Sequence, residues 1–191
     1  IKQAEMVQNI LPDGVECIFV RQSQQLGLGH AVLCAERAVG NEPFAVLLAD
    51  DFLTYEGNGI TSDLVNAYEK NGKSQLSIME VDGPDISKYG VVKLKNNIVT
   101  GLIEKPKFEE APSNMASIGR YVLNSEIFDI LRNQSAGSGG EIQLADAINT
   151  QAELGQVKSV ISTAVRFDCG SVEGFLEAIL HESLLRYGAK N

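Results

Sequence analysis

The sequence predicts an α/β fold: a doubly wound core around a mixed, mostly parallel sheet that an antiparallel hairpin interrupts. Three observations predict it. Apolar runs and turn signals alternate along the chain in a strand–helix rhythm. Phe44-Ala45-Val46-Leu47-Leu48 is an unbroken apolar run, the pattern of a strand covered on both faces as in parallel sheets. Beyond Asp82, two β-rich runs flank Asn96-Asn97, a two-residue hairpin signal.

The elements follow in order. Val15 to Val20 reads as a strand, and Leu28 to Val39 as a helix entered through a glycine-containing loop. The Phe44 to Leu48 strand stops at Asp50-Asp51. Thr61, Ser62 and Asp63 open a helix that runs through Lys70 and ends at Asn71-Gly72, after which Gln75 to Val81 returns to strand. Gly90 to Lys95 and Ile98 to Ile103 form the hairpin, and Ala116 to Leu123 is a further strand. Ser125 is placed to cap a helix reaching about Arg132, and Ser135 to Gly140 is a small-residue loop. Glu141 to Leu154 reads as helix, Val157 to Ser162 as strand, and Ser171 to Tyr187 as a closing helix capped by Ser171. With 191 residues, no internal repeat and no linker composition, residues 1–191 are expected to form a single domain.

Composition narrows the function. Sixteen Lys and Arg against 25 Asp and Glu give a formal charge of -9, which argues against binding a nucleic-acid backbone. No window is apolar for long enough to span a bilayer. Cys17, Cys34 and Cys169 leave an odd thiol in any pairing, match no zinc spacing, and follow no signal peptide, so free thiols in a cytoplasmic protein are expected.

Several residues can carry chemistry. Asp50 and Asp51 stand at the carboxyl end of an apolar strand, the edge of an open α/β sheet where ligands bind. Asp168, in Phe167-Asp168-Cys169-Gly170, ends a second apolar stretch. Mg²⁺ takes hard oxygen ligands, commonly one or two carboxylates plus phosphate oxygens, so Asp50 with Asp168 would suffice; each alone reads equally as a turn or cap residue. Glu104-Lys105-Pro106 closes a strand. There the proline should hold its predecessor extended, projecting Glu104 and Lys105 to opposite sides or along a bend. A glutamate can accept two sugar hydroxyls and a lysine suits a phosphate monoester, although an edge-strand charge pair has the same look. Gly27-Leu28-Gly29-His30-Ala31 could turn backbone N–H groups towards an anion or a base edge. His30 and His181 read as structural, and Tyr89-Gly90 as a strand start or a close backbone approach.

The ordered set Arg21-Gln22, Gly27-Leu28-Gly29-His30-Ala31, Leu48-Ala49-Asp50, Tyr89-Gly90-Val91-Val92, Glu104-Lys105-Pro106, Gly119-Arg120-Tyr121-Val122-Leu123, Glu141-Ile142-Gln143-Leu144 and Phe167-Asp168-Cys169-Gly170 resembles the bacterial UTP:glucose-1-phosphate uridylyltransferases along nearly the whole chain. That resemblance implies a Rossmann-like nucleotidyltransferase fold and the formation of UDP-glucose and pyrophosphate from UTP and glucose 1-phosphate. It implies that Gln22 and Gly27 contact uracil, that Asp50 and Asp168 hold Mg²⁺, that Gly90 and Glu104 orient the glucose, and that Lys105 binds its phosphate. Homo-dimers or tetramers are expected, with the closing helix as a contact. The chain is similar to the C-terminal two-thirds of that family. The initial strands and the segment resembling G-x-G-T-R-x-L-P do not occur in it, so this polypeptide by itself is expected to be inactive. Leu26 stands where many members carry lysine, and Asp51 leaves open which carboxylate takes the metal, with Asp50 favoured by register. Three rivals remain at this point: another sugar-phosphate nucleotidyltransferase such as a thymidylyltransferase, a UDP-sugar-dependent glycosyltransferase using Asp50-Asp51 as a metal-bound pair, and a non-catalytic binding or oligomerisation module.

Overall fold

A computed structural model describes residues 10–188. The chain forms helices α1 (Leu28–Cys34) and α2 (Glu36–Val39), strands β1 (Phe44–Leu47) and β2 (Asp51–Thr54), helix α3 (Gly59–Asn71) and strand β3 (Ser74–Glu80). It continues with β4 (Gly90–Lys95), β5 (Ile98–Glu104), β6 (Met115–Leu123), α4 (Ile127–Asn133), α5 (Leu144–Glu153), β7 (Val157–Ile161), β8 (Val165–Asp168) and α6 (Val172–Tyr187). Six strands form one sheet in the order β1-β6-β3-β7-β5-β4, and β6 also pairs with β4. A separate two-stranded sheet joins β2 to β8.

The α/β class and the mixed sheet agree with expectation, but the balance of directions differs. Among the described residues only β3 and β7 run parallel; β1–β6, β3–β6, β4–β5, β4–β6 and β5–β7 are antiparallel. Strand β6 causes this, because its nine residues reach β1, β3 and β4 and run against all three. The strand buried on both faces is β3 rather than β1, whose side chains alternate between half-buried and exposed.

Alternation along β6 divides the core. Tyr121 and Leu123 point to one face, where Leu76, Ile78, Val92 and Val99 meet Phe128 and Leu131 of α4 and Leu144 and Ile148 of α5. Ile118 and Val122 point to the other, against Leu53 and against Ile60 and Leu64 of α3. The sheet is thus sandwiched between helices, the layering that buries both faces of a central strand.

Local signals explain most element ends. Gly72 adopts the left-handed conformation that stops α3, its N–H bonding the Tyr68 carbonyl. Asn96 and Asn97 have φ of 50° and 60°, as a tight hairpin turn requires. The Ser171 hydroxyl accepts a hydrogen bond from the Gly174 N–H at 3.1 Å, capping α6 as expected. Ser125 does not cap α4; its hydroxyl donates to the Asn41 carbonyl at 3.1 Å and the helix starts two residues later. The expected helix over Leu28 to Val39 divides at Ala35, where the backbone tightens, and ends at Gly40. Residues 141–143 are extended rather than helical because Ile142 bonds to the loop before α1. The expected strand Val15 to Val20 has no ladder partner among the described residues and leaves Ile18 and Phe19 exposed. No helix of the described residues is long and apolar enough to cross a membrane.

Between the strand and helix layers Phe44 of β1 stacks on Phe128 of α4, with ring centroids 4.9 Å apart and planes 4° from parallel. Phe128 is 2% exposed. Phe128→Ala is expected to lower the unfolding free energy by about 3–5 kcal/mol, read as a lower urea midpoint at unchanged slope.

Candidate functional site

Two carboxylates that are neighbours in sequence have opposite environments. Asp51 is buried, 7% exposed, at the first position of β2. Its Oδ2 accepts the Gly119 N–H at 2.7 Å, and its Oδ1 is ion-paired with the Arg166 Nε. Arg166 sits diagonally across the β2–β8 ladder, in which Asp51 faces Asp168 and Leu53 faces Arg166. The same guanidinium donates to the Tyr89 hydroxyl at 2.9 Å and lies 5.0 Å over its ring. Arg120 completes the clamp, donating to the carbonyls of Leu48, Gly119 and Asp51 at 3.1, 2.7 and 2.7 Å.

Asp50, one residue earlier, is exposed and has no ion-pair partner among the described residues. Its carbonyl accepts the Cys169 N–H at 2.7 Å, which draws the Asp168–Gly170 turn alongside. A Cβ built on Gly170 would lie 3.1 Å from the Asp168 Oδ1 and 3.5 Å from the Asp50 Oδ2, so these oxygens are no further apart than those two distances together. The Asp50 and Asp168 carboxylates therefore both border the space that a side chain at Gly170 would occupy. Two hard oxygen donors, neither of them ion-paired among the described residues, fit a Mg²⁺ ion whose remaining ligands are water and phosphate oxygens. Among the described residues no group of three or more His, Cys, Asp or Glu gathers into a fuller metal cage.

Gly90 is opposite Glu104 on one side and Ser117 on the other, so all three occupy one level of the sheet. Its missing side chain is what leaves room: a Cβ there would meet the Glu104 Oε2 at 3.1 Å. Burial is the main influence that raises the Glu104 carboxyl above its ordinary pKa, and the Lys105 ammonium opposes it. The protonated form accordingly favours folding below the ordinary carboxylate value, and that contribution is lost as pH rises through the raised one. Lys105 is not extended as the following proline suggested. Its φ is 45°, its N–H bonds the Tyr89 carbonyl at 3.0 Å, and the resulting bend brings its Nζ to 3.9 Å from the Glu104 Oε1.

The glycine-rich loop docks by backbone. Leu26 accepts the Ile142 N–H at 2.7 Å, and the Gly29 N–H donates to Ile142 at 2.9 Å. A Cβ on Gly27 or Gly29 would lie 2.9 or 2.6 Å from the Ile142 carbonyl oxygen, so the loop can approach only as glycine. One narrow cleft is consequently lined by Leu28, Gly90, Glu104, Ser117, Tyr121 and Gln143. Burial pushes the Tyr121 hydroxyl up to about 12; the neighbouring Ser117 side chain opposes the rise, and the Asp51, Glu104 and Asp50 charges add to it. A larger cavity of about 440 Å³, lined by Asn41, Pro43, Tyr68 and Gln151 among others, carries none of the predicted site residues.

A model of the family described as nucleotidyl transferase matches residues 2–183. The chain belongs to that family. Its nucleotidyl transferase relatives include the UTP–glucose-1-phosphate uridylyltransferase of Pseudomonas aeruginosa, 44% identical over 183 residues that cover 91% of this chain and 66% of the relative. The enzyme of the same name from Haemophilus ducreyi is 40% identical over 190 residues, covering 93% and 64%. Among solved structures, a UDP-glucose pyrophosphorylase complexed with UDP-glucose is similar with a TM-score of 0.84 at 41% identity, covering 88% of this chain and 66% of that one. A UTP-bound UGPase from Acinetobacter baumannii gives 0.87 at 35%, covering 98% and 67%. The chain spans just under two thirds of the length of the curated relatives it matches.

Within this nucleotidyl transferase framework the structure groups Asp50 with Asp168, and Gly90 with Glu104 and Lys105. Gln22 turns back onto its own loop, its Nε2 donating to the Gly27 carbonyl at 3.0 Å. Arg166 was outside the sequence reading, although its spacing two residues before Asp168 places it on the same face of β8. Asp51 is occupied internally, which removes the Asp50-Asp51 pair as a joint metal site and with it the glycosyltransferase reading built on that pair. Arg166→Met leaves Asp51 buried without its partner and is expected to cost about 3–5 kcal/mol in urea unfolding.

Proposed function

We propose that this chain contributes the sugar-binding and metal-binding parts of a uridylyltransferase that forms UDP-glucose and pyrophosphate from UTP and glucose 1-phosphate. One observation carries the reading: residues distant in sequence, Leu28 of the glycine loop, Gly90, Glu104 and Gln143, meet at one cleft, and a separate turn brings the exposed Asp50 and Asp168 together beside Gly170. Residues 1–191 act in this reading as one nucleotidyltransferase domain.

In the reaction a phosphate oxygen of glucose 1-phosphate attacks the α-phosphorus of UTP in line. A new O–P bond forms as the bond to pyrophosphate breaks, and the departing pyrophosphate carries away the electron pair. Mg²⁺ held by Asp50 and Asp168 would neutralise charge on the triphosphate. Glu104 accepts hydrogen bonds from glucose hydroxyls in the space that Gly90 leaves. Lys105 pairs with the sugar phosphate, and the fixed bend at Lys105-Pro106 keeps its ammonium beside Glu104, so that sugar and phosphate are held as one unit. Gln22 and the Gly27 backbone face the uracil. The work of these residues is positioning and charge balance, with no covalent enzyme intermediate.

A homo-oligomer, dimer or tetramer, fits the same reading. Helix α6 packs on β8, with His181 bonded to the Thr54 hydroxyl at 3.2 Å, yet leaves Phe175, Leu176, Ile179, Leu180 and Leu184 about half exposed or more. Free thiols at Cys17, Cys34 and Cys169 accord with a cytoplasmic setting.

The test is Mg²⁺-dependent formation of UTP from UDP-glucose and pyrophosphate by the full gene product. Asp50→Ala and Asp168→Ala are each expected to lower kcat by about a hundredfold or more, while Asp51→Asn should act mainly through stability. Undiminished turnover in either alanine variant would remove the metal assignment, and no turnover by the unaltered protein would remove the proposed reaction.

A further inference from the structure

Gln22 is held by two acceptors. Its Nε2 lies 3.0 Å from the Gly27 carbonyl oxygen and 3.0 Å from the His30 Nδ1. The carbonyl can only accept, so the nitrogen end of the amide must face it, and the orientation of Gln22 follows from chemistry. The same nitrogen then supplies its second proton to His30. That requires a neutral imidazole with Nδ1 as acceptor and the ring proton on Nε2; the Cys34 sulfur, 3.9 Å from Nδ1 and 4.0 Å from Nε2, favours neither nitrogen. Both amide protons are thereby occupied, and among the described residues no donor reaches Oε1. The half-buried Gln22 presents an acceptor and withholds its donors.

From this arrangement we propose that His30 is a specificity-positioning residue: by locking the Gln22 amide with its oxygen outward, it makes the site select a pyrimidine with an N3–H, uracil, and reject cytosine. The inference rests on the reading above in which Gln22 faces the base. Uracil offers an N3–H donor, which Oε1 can accept. Cytosine offers an unprotonated N3, so two acceptors would oppose each other, and the amide cannot turn to meet it without breaking its bonds to Gly27 and His30. Thymine has the same hydrogen-bonding edge as uracil, so the device separates N3–H bases from cytosine and does not separate UTP from dTTP.

The experiment measures equilibrium affinities of UTP, CTP and dTTP by calorimetry, in the presence of Mg²⁺, for the full gene product and its His30→Leu and His30→Asn variants. The unaltered protein is expected to prefer UTP to CTP. His30→Leu should reduce that preference by about tenfold, the worth of one orienting hydrogen bond, with the UTP to dTTP ratio unchanged. His30→Asn, whose Oδ1 keeps an acceptor near the position of Nδ1, should restore the preference. General loosening of the loop would weaken all three nucleotides together and leave the ratios alone. An unchanged UTP to CTP ratio in His30→Leu overturns the proposal, as does an unaltered protein that binds both equally. If His30→Leu fails to fold, loss of the preference in His30→Asn overturns it, and retention supports it. A protein that shows the expected ratios yet forms no UDP-glucose would refute the proposed reaction and leave the role of His30 standing.

Discussion

The buried Asp51 carboxylate is the constraint on which the rest of the site depends. A carboxylate this deep is stable only if its charge and lone pairs are met, and the Gly119 N–H and the Arg166 guanidinium meet them. Those two contacts join three pieces of the molecule. Gly119 belongs to β6 of the main sheet, Asp51 and Arg166 to the small β2–β8 sheet, and Arg166 extends the connection to Tyr89, immediately before β4. Without them, a two-stranded sheet of four-residue strands has little of its own to fix its orientation. With them, Asp50 and Asp168 are brought together beside Gly170, and Tyr89 is tied in next to Gly90. Two adjacent aspartates thus divide between anchoring and display, because Asp50 lies in the exposed turn after β1 whereas Asp51 opens β2 and is buried.

What the sequence made legible was whatever depends on neighbours along the chain. The Asn96-Asn97 turn, the stop at Gly72 and the Ser171 cap each follow from the conformational or hydrogen-bonding chemistry of a single residue. The site motifs were legible as a set because glycines and charges recur in a fixed order. Features set by distant partners were not. Strands β2 and β8 are four residues long and pair across more than a hundred positions, so neither has a periodicity of its own to read. The predominance of antiparallel pairs follows from β6, which reads as an ordinary strand until its three partners are known. Lys105 departs from the extended form because its N–H continues a ladder to Tyr89, a tertiary bond that overrides the local preference before proline.

The glycine loop shows how backbone docking and recognition are linked. Gly27 and Gly29 let the loop reach Ile142, and this contact, rather than a helix, accounts for the extended Glu141-Ile142-Gln143 segment. The same approach fixes the Gly27 carbonyl that holds Gln22. The Gly-Leu-Gly-His and Glu-Ile-Gln-Leu motifs are therefore the two halves of one contact, separated by more than a hundred residues. Substitution in either half would move Gln22 without touching it.

Charge distribution explains how a chain of formal charge -9 can serve anionic substrates in the proposed reaction. Arg166 is paired with Asp51, and Arg120 is directed at three carbonyls, so neither guanidinium is free to attract phosphate. The cation beside the sugar subsite is Lys105, 65% exposed and loosely paired with Glu104 at 3.9 Å. One screened ammonium cannot balance a triphosphate and a sugar phosphate. The unpaired carboxylates of Asp50 and Asp168 resolve the mismatch, since they would attract phosphate only through a divalent cation and would repel it otherwise. Metal dependence in this reading is a consequence of where the fold has used Arg120 and Arg166: they fix the frame, and charge that meets the substrate is brought from solution.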